Sequence, residues 1–482
     1  MSTHTRDDVI IIGTGQAGVP LATRLAAAGL RVRIIERGAA GGTCSNTGCT
    51  PTKTMIASAR AAHVARTAHR LGVSTGEVAV DFPAVVARKN EMVARWRHGV
   101  ERRLASGGDR LTFTRGHARL VAERTVEVAG ERFEADRVVI DVGARAAIPA
   151  VAGLDAIPYL DSTRLLDLDQ LPRHLLVLGG GYIGCELGQL MRRLGAEVTI
   201  VNQRERLLPR EDPDVSEALE VALRTEGIGL AHGSGAVRIE MQPDAERNAP
   251  REAAGAAEAP RSATAGELAL TLTSGEIIRG SHLLVATGRR PNTDDLGCAE
   301  GGIALDAGGH VRVDEHYQTS IPGVFAVGDC TDGPQFTHTA WDDHRVLFDL
   351  LTGRPARARS QRLVPFTVFT DPQVAGVGLS ERQAHAQGIH ADVATLPFGN
   401  IARAIETDET AGIVKVLVDP SSERILGARI VGADAGELIH VFLVLMQAGA
   451  SVRAIVDAEF VHPAFAEGLQ TAVMRLPRYS LS

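Results

Sequence analysis

Two of the five cysteines in this 482-residue chain lie close together, in the stretch Gly41-Gly42-Thr43-Cys44-Ser45-Asn46-Thr47-Gly48-Cys49-Thr50-Pro51-Thr52-Lys53. In a regular α-helix a five-residue step rises about 7.5 Å, more than the roughly 4.4–6.8 Å that a disulfide bridges between Cα atoms. A pair that closes must therefore sit on a distorted turn, and Gly48 together with Pro51 supplies one. A thiol at the start of the following helix also gains from that helix's positive end, which favours the thiolate. Cys185, Cys298 and Cys330 are isolated in sequence, so no second pair completes a metal site. A structural disulfide does not suit a chain without secretory features. The spacing thus favours redox chemistry over either alternative.

The elements that must hold this pair can be followed along the chain. Val9 to Ile12 is a short apolar run that leads into Gly13-Thr14-Gly15-Gln16-Ala17-Gly18 and a helical pattern; the strand Val32 to Ile35 then ends at Glu36. Strand, glycine turn, helix, strand and acid together form a dinucleotide fingerprint in its required context. Gly13 makes the turn, Gly15 lets a pyrophosphate approach, Gly18 lets helix pack on strand, and Glu36 takes ribose hydroxyls. A second fingerprint begins at Leu175, with the turn Gly179-Gly180-Gly181-Tyr182-Ile183-Gly184, a helix to Leu194 and the strand Val198 to Val201. Two such sites imply two cofactors, one a carrier and one a delivery agent. Where an acid would select an unphosphorylated ribose, the chain has Asn202-Gln203-Arg204, with Arg206 beyond. That pattern favours a 2′-phosphate, hence NADPH, with NADH the alternative.

Lys53 to Leu71 and Phe82 to Leu104 read as helices. The basic residues of the second form a solvated face or, alternatively, attract a charged substrate. Runs at Leu111 to Phe113, Thr125 to Val128 and Val138 to Ile140 predict a small antiparallel addition to the first domain. Residues 242–266, rich in Ala, Pro, Glu and Arg, are expected to be a disordered insertion. Val324 to Asp329 returns the chain to the first domain, with Asp329 favoured as a ligand to a flavin's ribityl chain over a helix cap. From about Leu363, strands and amphipathic helices form a last domain that ends in Val461-His462-Pro463-Ala464-Phe465-Ala466-Glu467. Glu467 lies inside the final helix, within reach of the His462 ring.

The totals fit this organisation. Hydrophobic residues are 44% and charged residues 23%, as in ordinary globular proteins. A formal net charge of −7 argues against nucleic acid as a partner. A polar start and the lack of any membrane-length apolar run predict a cytoplasmic chain that binds no membrane.

With these motifs in hand, the sequence resembles the class I pyridine nucleotide-disulfide oxidoreductases, the flavoenzyme family of glutathione reductase, dihydrolipoamide dehydrogenase and mercuric reductase. The likeness rests on Gly-Gly-Thr-Cys, four residues, Cys and Pro-x-Lys, on Gly-Tyr-Ile-Gly-Cys-Glu at 181–186, on Ala-x-Gly-Asp at 326–329 and on the terminal His-Pro with its glutamate. It implies an α/β fold with two Rossmann-like domains, FAD-binding (1–150 and 281–350) and NAD(P)H-binding (151–280), and a C-terminal α+β dimerisation domain (351–482). It implies FAD and NADPH as cofactors and no metal. Cys49 matches the cysteine beside the flavin and Cys44 the interchange thiol. Lys53 and Glu186 match a pair near flavin N5, and Tyr182 a tyrosine that covers the flavin. His462 and Glu467 match an acid/base pair supplied by the partner subunit, so an active homodimer is implied. The expected cofactor contacts are Gly13, Gly15, Gly18, Glu36, Thr43, Lys53, Gly116, Asp329, Ala340, Gly179, Gly181, Ile183, Gly184, Asn202, Arg204 and Gly288.

The chain departs from the family at Phe336 to Arg345, which is similar to a mercuric-reductase-like branch. Its carboxyl tail, Arg475 to Ser482, has no cysteine pair, which tells against mercuric reductase itself. The expected activity is reduction of a low-molecular-weight disulfide. The alternatives are reduction of a metal ion, quinone or oxidised sulfur species, and dihydrolipoamide oxidation.

Overall fold

A computed structural model describes residues 6–242 and 266–479. The insertion expected at 242–266 falls, apart from its two end residues, outside the described residues. The chain divides into two compact units. One comprises Met1–Thr54, Ala87–Ala147 and Gly288–Arg362; the other comprises Met55–Val86, Ile148–Thr287 and Leu363–Ser482.

In the first unit, strand Asp7–Ile12 is central. It pairs in parallel with Val32–Glu36 on one side and with the second half of Glu131–Ile140 on the other; Leu111–Arg115 and Val324–Ala326 extend the parallel sheet at its two sides. A β-strand alternates its faces, and here both faces are apolar because both are covered. Val9 and Ile11 enter a core with the helices Gly18–Ala27 and Thr337–Leu351, while Ile10 and Ile12 pack with Leu120 and Val126 on the opposite face. Each such isoleucine contributes about 1.5–3 kcal/mol by burial. The first half of Glu131–Ile140 continues into an antiparallel meander with Thr125–Val128 and Ala118–Ala122.

Two expectations are corrected here. Leu111–Arg115 and Val138–Ile140 belong to the parallel sheet and not to the antiparallel addition, which is built from 118–134. The connection from Glu36 to Leu111 is long enough for the crossover that a parallel neighbour needs, and local alternation carries no sign of direction. The helix expected from Lys53 to Leu71 begins at Cys49, runs to Thr67 and ends in a 3₁₀ turn at Ala68–Leu71. Pro51 sits in its first turn, where no intrahelical donor is lost.

The second unit contains a four-stranded parallel sheet in the order Gly229–His232, Glu197–Asn202, His174–Leu178, His282–Val285. Helices Tyr182–Leu194 and Pro213–Thr225 accompany it, and a three-stranded antiparallel sheet, Ala236–Gln242, Glu267–Leu272 and Ile277–Gly280, follows in sequence. The same unit holds a five-stranded antiparallel sheet ordered Phe366–Val368, Gln373–Gly378, Ile425–Gly432, Ile413–Val418, Asp392–Pro397. Ile430, Val414 and Val416 of that sheet bury against Ile439 and Phe442 of helix Ala435–Gln447 and Leu469 of helix Glu467–Val473. The whole is an α/β chain with two Rossmann-like sheets and a C-terminal α+β part. Among the described residues no helix is long and apolar enough to cross a membrane.

Candidate active site

The cysteines occupy two consecutive helical segments of the first unit. Cys44 lies in the short helix Gly42–Asn46, and Cys49 opens helix Cys49–Thr67. The backbone between them folds back on itself, with Thr47 N–H donating to Thr43 O at 2.9 Å and Thr52 N–H to Gly48 O at 3.0 Å. Asn46 fixes the first segment by donating from Nδ2 to the carbonyls of Ala40 and Gly42, both at 3.0 Å, while Arg97 donates to its Oδ1. A Cβ on Gly42 would stand 2.8 Å from Gly15 Cα. The dithiol segment is therefore laid directly on the first glycine turn.

The two thiols are unbonded and share a hydrogen bond, and Cys49 Sγ lies 3.0 Å from Thr337 Oγ1. The Cys44 thiol is pushed far above its ordinary value, first by its hydrogen bond with Cys49, then by burial and by the negative charge of Cys49; Thr337 and Lys53 oppose this only partly. The expected lowering of a thiol pKa by the helix terminus therefore does not reach Cys44. Cys49 is the residue at the helix start.

The first glycine turn is shaped by a residue the sequence reading left without a role. Asp141, at the end of strand Glu131–Ile140, accepts from Gly18 N–H at 2.7 Å, and its Oδ2 lies 2.8 Å from where a Cβ on Gly15 would stand. A Cβ on Gly18 would collide with the carbonyl of Gly13, and Gly184 meets Gly179 in the same way in the second turn. Glu36 Oε2 accepts from Thr14 N–H at 3.1 Å and Thr14 Oγ1–H at 2.6 Å, while Oε1 accepts from Gly38 N–H at 2.8 Å. Thr14 Oγ1 in turn accepts from Gly41 N–H at 3.0 Å. Gly116 N–H donates to Glu36 O at 3.0 Å. Asp329 lies in the turn Gly328–Cys330; burial pushes its carboxyl up, and Arg289, 3.2 Å away, pulls it back. Arg289 Nε is buried with no hydrogen-bond partner among the described residues. Asp343 accepts from Gly328 N–H at 2.8 Å and from Tyr317 Oη–H at 2.7 Å, and pairs with Arg362. Thr43 is exposed beside Cys44, Lys53 lies one helical turn after Cys49, Ala340 is buried in helix Thr337–Leu351, and Gly288 O accepts from Ala147 N–H at 3.0 Å. A side-chain-free cradle, an acid poised at its rim and an orphaned guanidinium nitrogen fit a dinucleotide such as FAD.

A cavity of about 520 Å³ opens against this assembly, with Gly15, Gln16, Gly41 and Ser45 in its wall. Ser45 adjoins Cys44, and Gln16 Nε2 donates to its hydroxyl at 3.5 Å.

In the second unit Gly181 precedes helix Tyr182–Leu194, whose first turn holds Tyr182, Ile183 and Gly184. The Tyr182 ring stacks on Phe366 at 5.5 Å, and its hydroxyl donates to Glu211 at 3.4 Å; burial and Glu211 raise its pKa. Buried Glu186 accepts from Phe369 N–H at 2.8 Å. Asn202 is buried, and its amide donates to Arg204 O at 2.9 Å and Arg206 O at 2.6 Å, so its donors shape the loop from within. His462 Nδ1 lies 2.8 Å from Glu467 Oε2, with the histidine side chain 71% exposed. Among the described residues no group of three or more His, Cys, Asp or Glu side chains is arranged to hold a metal ion.

Residues 7–343 match the model of the pyridine nucleotide-disulphide oxidoreductases and residues 364–473 that of their dimerisation domain. The chain is 34% identical over 470 residues to a mercuric reductase of Lysinibacillus sphaericus, covering 97% of this chain and 82% of that protein. It is 36% identical to a mercuric reductase of Shigella flexneri, covering 96% and 80%. Among solved structures, the HOCl-induced flavoprotein disulfide reductase RclA from Escherichia coli superposes with a TM-score of 0.85 at 32% identity, covering 97% of this chain and 99% of that one. A Cu(II) complex of the same protein gives the same TM-score.

Proposed function

The chain belongs to the pyridine nucleotide-disulphide oxidoreductases, FAD-dependent enzymes of sulfur groups that draw on NAD(P)H and carry a dimerisation domain, and we propose that this member uses NADPH to reduce a low-molecular-weight disulfide through Cys44 and Cys49. The observation that carries this reading is the geometry of the dithiol itself: two thiols in hydrogen-bond contact on consecutive helical segments, Cys49 against Thr337, and Ser45, next to Cys44, in the wall of a cavity of small-molecule size. When bound, FAD would supply the two-electron relay from the dinucleotide that returns the Cys44–Cys49 disulfide to the dithiol.

A thiolate is the nucleophile, so Cys44 must first lose the proton that Cys49 helps it keep. In this proposal His462 of one protomer serves the dithiol of its partner. Glu467, against Nδ1, selects the tautomer with the proton on that nitrogen and leaves Nε2 to carry the Cys44 proton. The Cys44 thiolate attacks one sulfur of the acceptor, forming a mixed disulfide and expelling one thiolate, which takes the proton from His462. Cys49 then attacks the Cys44 sulfur and closes the Cys44–Cys49 disulfide, and its proton passes to the expelled sulfur, which leaves as the second thiol. Two electrons have left the dithiol for the acceptor. Thr337 holds Cys49 in position for that second attack. We further propose that 1–150 with 281–350 bind FAD, 151–280 bind the nicotinamide dinucleotide and 351–482 form the dimer contact. NADPH is preferred over NADH because the exposed Arg204 and Arg206 guanidiniums have no partner among the described residues, and Asn202 brings no negative charge.

A second reading, reduction of a metal ion at the same dithiol, is favoured by the mercuric reductase relatives and the Cu(II) complex of the structural neighbour. Cys44→Ser and Cys49→Ser holoenzymes, assayed with NADPH against disulfides, mercuric and cupric ions and a quinone, test both. The first reading requires disulfide turnover that disappears in Cys44→Ser. Full disulfide turnover in that variant overturns it, and turnover with a metal ion but with no disulfide transfers the assignment to the second.

A further inference from the structure

The cavity that has Ser45, the neighbour of Cys44, in its wall gathers both indoles of the chain. Only two tryptophans occur in the sequence, and both are in its wall: Trp96 from helix Phe82–Ala105 and Trp341 from helix Thr337–Leu351. They are 55% and 46% exposed, although tryptophan is on average one of the more buried side chains. The same helix contributes Arg95 and Arg103. Neither guanidinium has a hydrogen-bond or ion-pair partner among the described residues, whereas Arg97, one residue from Trp96, is tied to Asn46. None of the lining residues is acidic, in a chain whose net charge is −7. Two unpaired cations in one concave wall mark it for anions.

Gly99 stands midway between the two arginines. A glycine inside a helix costs about 1 kcal/mol relative to alanine, and a Cβ at Gly99 would meet nothing within 4 Å. Its place is explained if the helix surface is notched to admit a ligand. Arg95 and Arg103 are eight residues apart, which sets them about 12 Å apart along the axis. That separation suits two acid groups at the ends of one extended molecule better than a single small anion. Exposed indoles offer faces for a flat ring, the Trp341 ring sharing its site with the Arg345 guanidinium, 5.8 Å from its centroid, and guanidiniums pair with carboxylates in a matching plane.

Building on the dithiol reading above, we propose that the acceptor is an anionic disulfide with an acid group and a flat ring on its arms, the acids held by Arg95 and Arg103 and the rings laid on Trp96 and Trp341. Four probes separate charge from ring: dithiobis(nitrobenzoate) has both, dithiodipropionate only charge, dithiodipyridine only the ring, and bis(hydroxyethyl) disulfide neither. For each probe kcat/KM is compared between the variant and the unsubstituted holoenzyme. The double variant Arg95→Ala/Arg103→Ala is expected to lose at least about tenfold more on the two anionic probes than on the two neutral ones. The double variant Trp96→Ala/Trp341→Ala is expected to lose more on the two ringed probes. Equal losses across the four probes overturn the proposal. Cys44→Ser, assayed alongside, tests the dithiol separately: if it keeps turnover, the reading beneath fails, whatever the cavity binds. A binding measurement needs no cavity variant. Because both indoles line the cavity, tryptophan emission of the Cys44→Ser holoenzyme should change saturably with dithiodipropionate and not with bis(hydroxyethyl) disulfide. The same response to both probes, or to neither, refutes the anion site.

Discussion

Replacing Asp141 separates the two things its carboxyl does. It accepts the Gly18 N–H at 2.7 Å, and its oxygens fill the space between the glycine turn and Gly328, where a Cβ would come within 3.1 Å of Oδ1. It is also a buried acid among acids. Burial pushes its pKa well above the ordinary 3.8, the Gly18 N–H offsets part of this, and Asp329, Asp343 and Glu36 add to the rise. A carboxyl whose folded pKa is raised contributes stability that is fully present below its unfolded value and is lost as the pH climbs through the folded one. Asp141→Asn keeps an acceptor for Gly18 and removes the charge. Its stability advantage over the unsubstituted protein should therefore be small near pH 4 and grow as the pH rises towards about 8. Asp141→Leu removes the acceptor and leaves the Gly18 N–H buried and unpaired, a loss of about 1–3 kcal/mol. If that loss falls on the FAD cradle, FAD binds roughly 5- to 150-fold more weakly. Thermal melts over a pH series read the first effect, and FAD titration of stripped protein by flavin fluorescence reads the second. An asparagine advantage that does not vary with pH, or a leucine variant that holds FAD as tightly as the unsubstituted protein, refutes the reasoning.

His462→Ala should lower kcat with disulfides by about 10²–10⁴-fold and shift alkylation of Cys44 in the reduced enzyme to higher pH, because Cys49 and burial alone hold that thiol up; an unshifted alkylation profile removes His462 from the proton path. Arg193 is buried between Glu226, at 2.6 Å, and Asp371, at 2.7 Å. Arg193→Met should cost about 3–5 kcal/mol in denaturant unfolding, and a cost below about 1 kcal/mol argues that the network is incidental. Burial pushes Asp371 up, but Arg193 and Arg60 outweigh it and hold the carboxyl below 3.8. The stability it provides is present above the ordinary carboxylate value and is lost as pH falls through its depressed one; Arg193→Met should flatten that acid limb. Asn202→Asp removes the amide donors to Arg204 O and Arg206 O and adds a negative charge inside the loop that carries both arginines. The NADPH-to-NADH ratio of kcat/KM should fall about tenfold, and a constant ratio would show that Asn202 does not set the preference.

What the sequence disclosed was local. The dithiol spacing, both glycine turns and the acid at Glu36 depend on neighbours within one supersecondary unit, where spacing and turn chemistry are decisive. The contacts that were not legible join distant segments. Asp141 lies 123 residues from Gly18, and Thr337 lies 288 from Cys49; each is an ordinary residue in its own neighbourhood. The direction of Leu111–Arg115 depends on a crossover, which alternation does not encode. The basic helix Phe82–Ala105 reads first as a solvated face and only second as one that attracts a substrate, because helical periodicity does not say what stands opposite. Asn202 sits where an acid would select a ribose, and its inward-facing donors are visible only once the loop is folded.

The discontinuity of the first unit bears on synthesis. Strand Glu131–Ile140 needs Val324–Ala326 as a parallel neighbour, and the unit that contains both is completed only with the segment ending at Arg362. At ribosomal rates of about 5–20 residues per second, that segment arrives roughly 10–40 s after Ala147. For this interval the newborn sheet presents an unpaired apolar edge at Val138–Ile140. The meander occupies the first half of the same strand and leaves only this short stretch open to wrong partners. Nascent chains arrested between about residues 150 and 320 should accordingly be protease-sensitive and bound by holdase chaperones, and lengthening past residue 362 should release them.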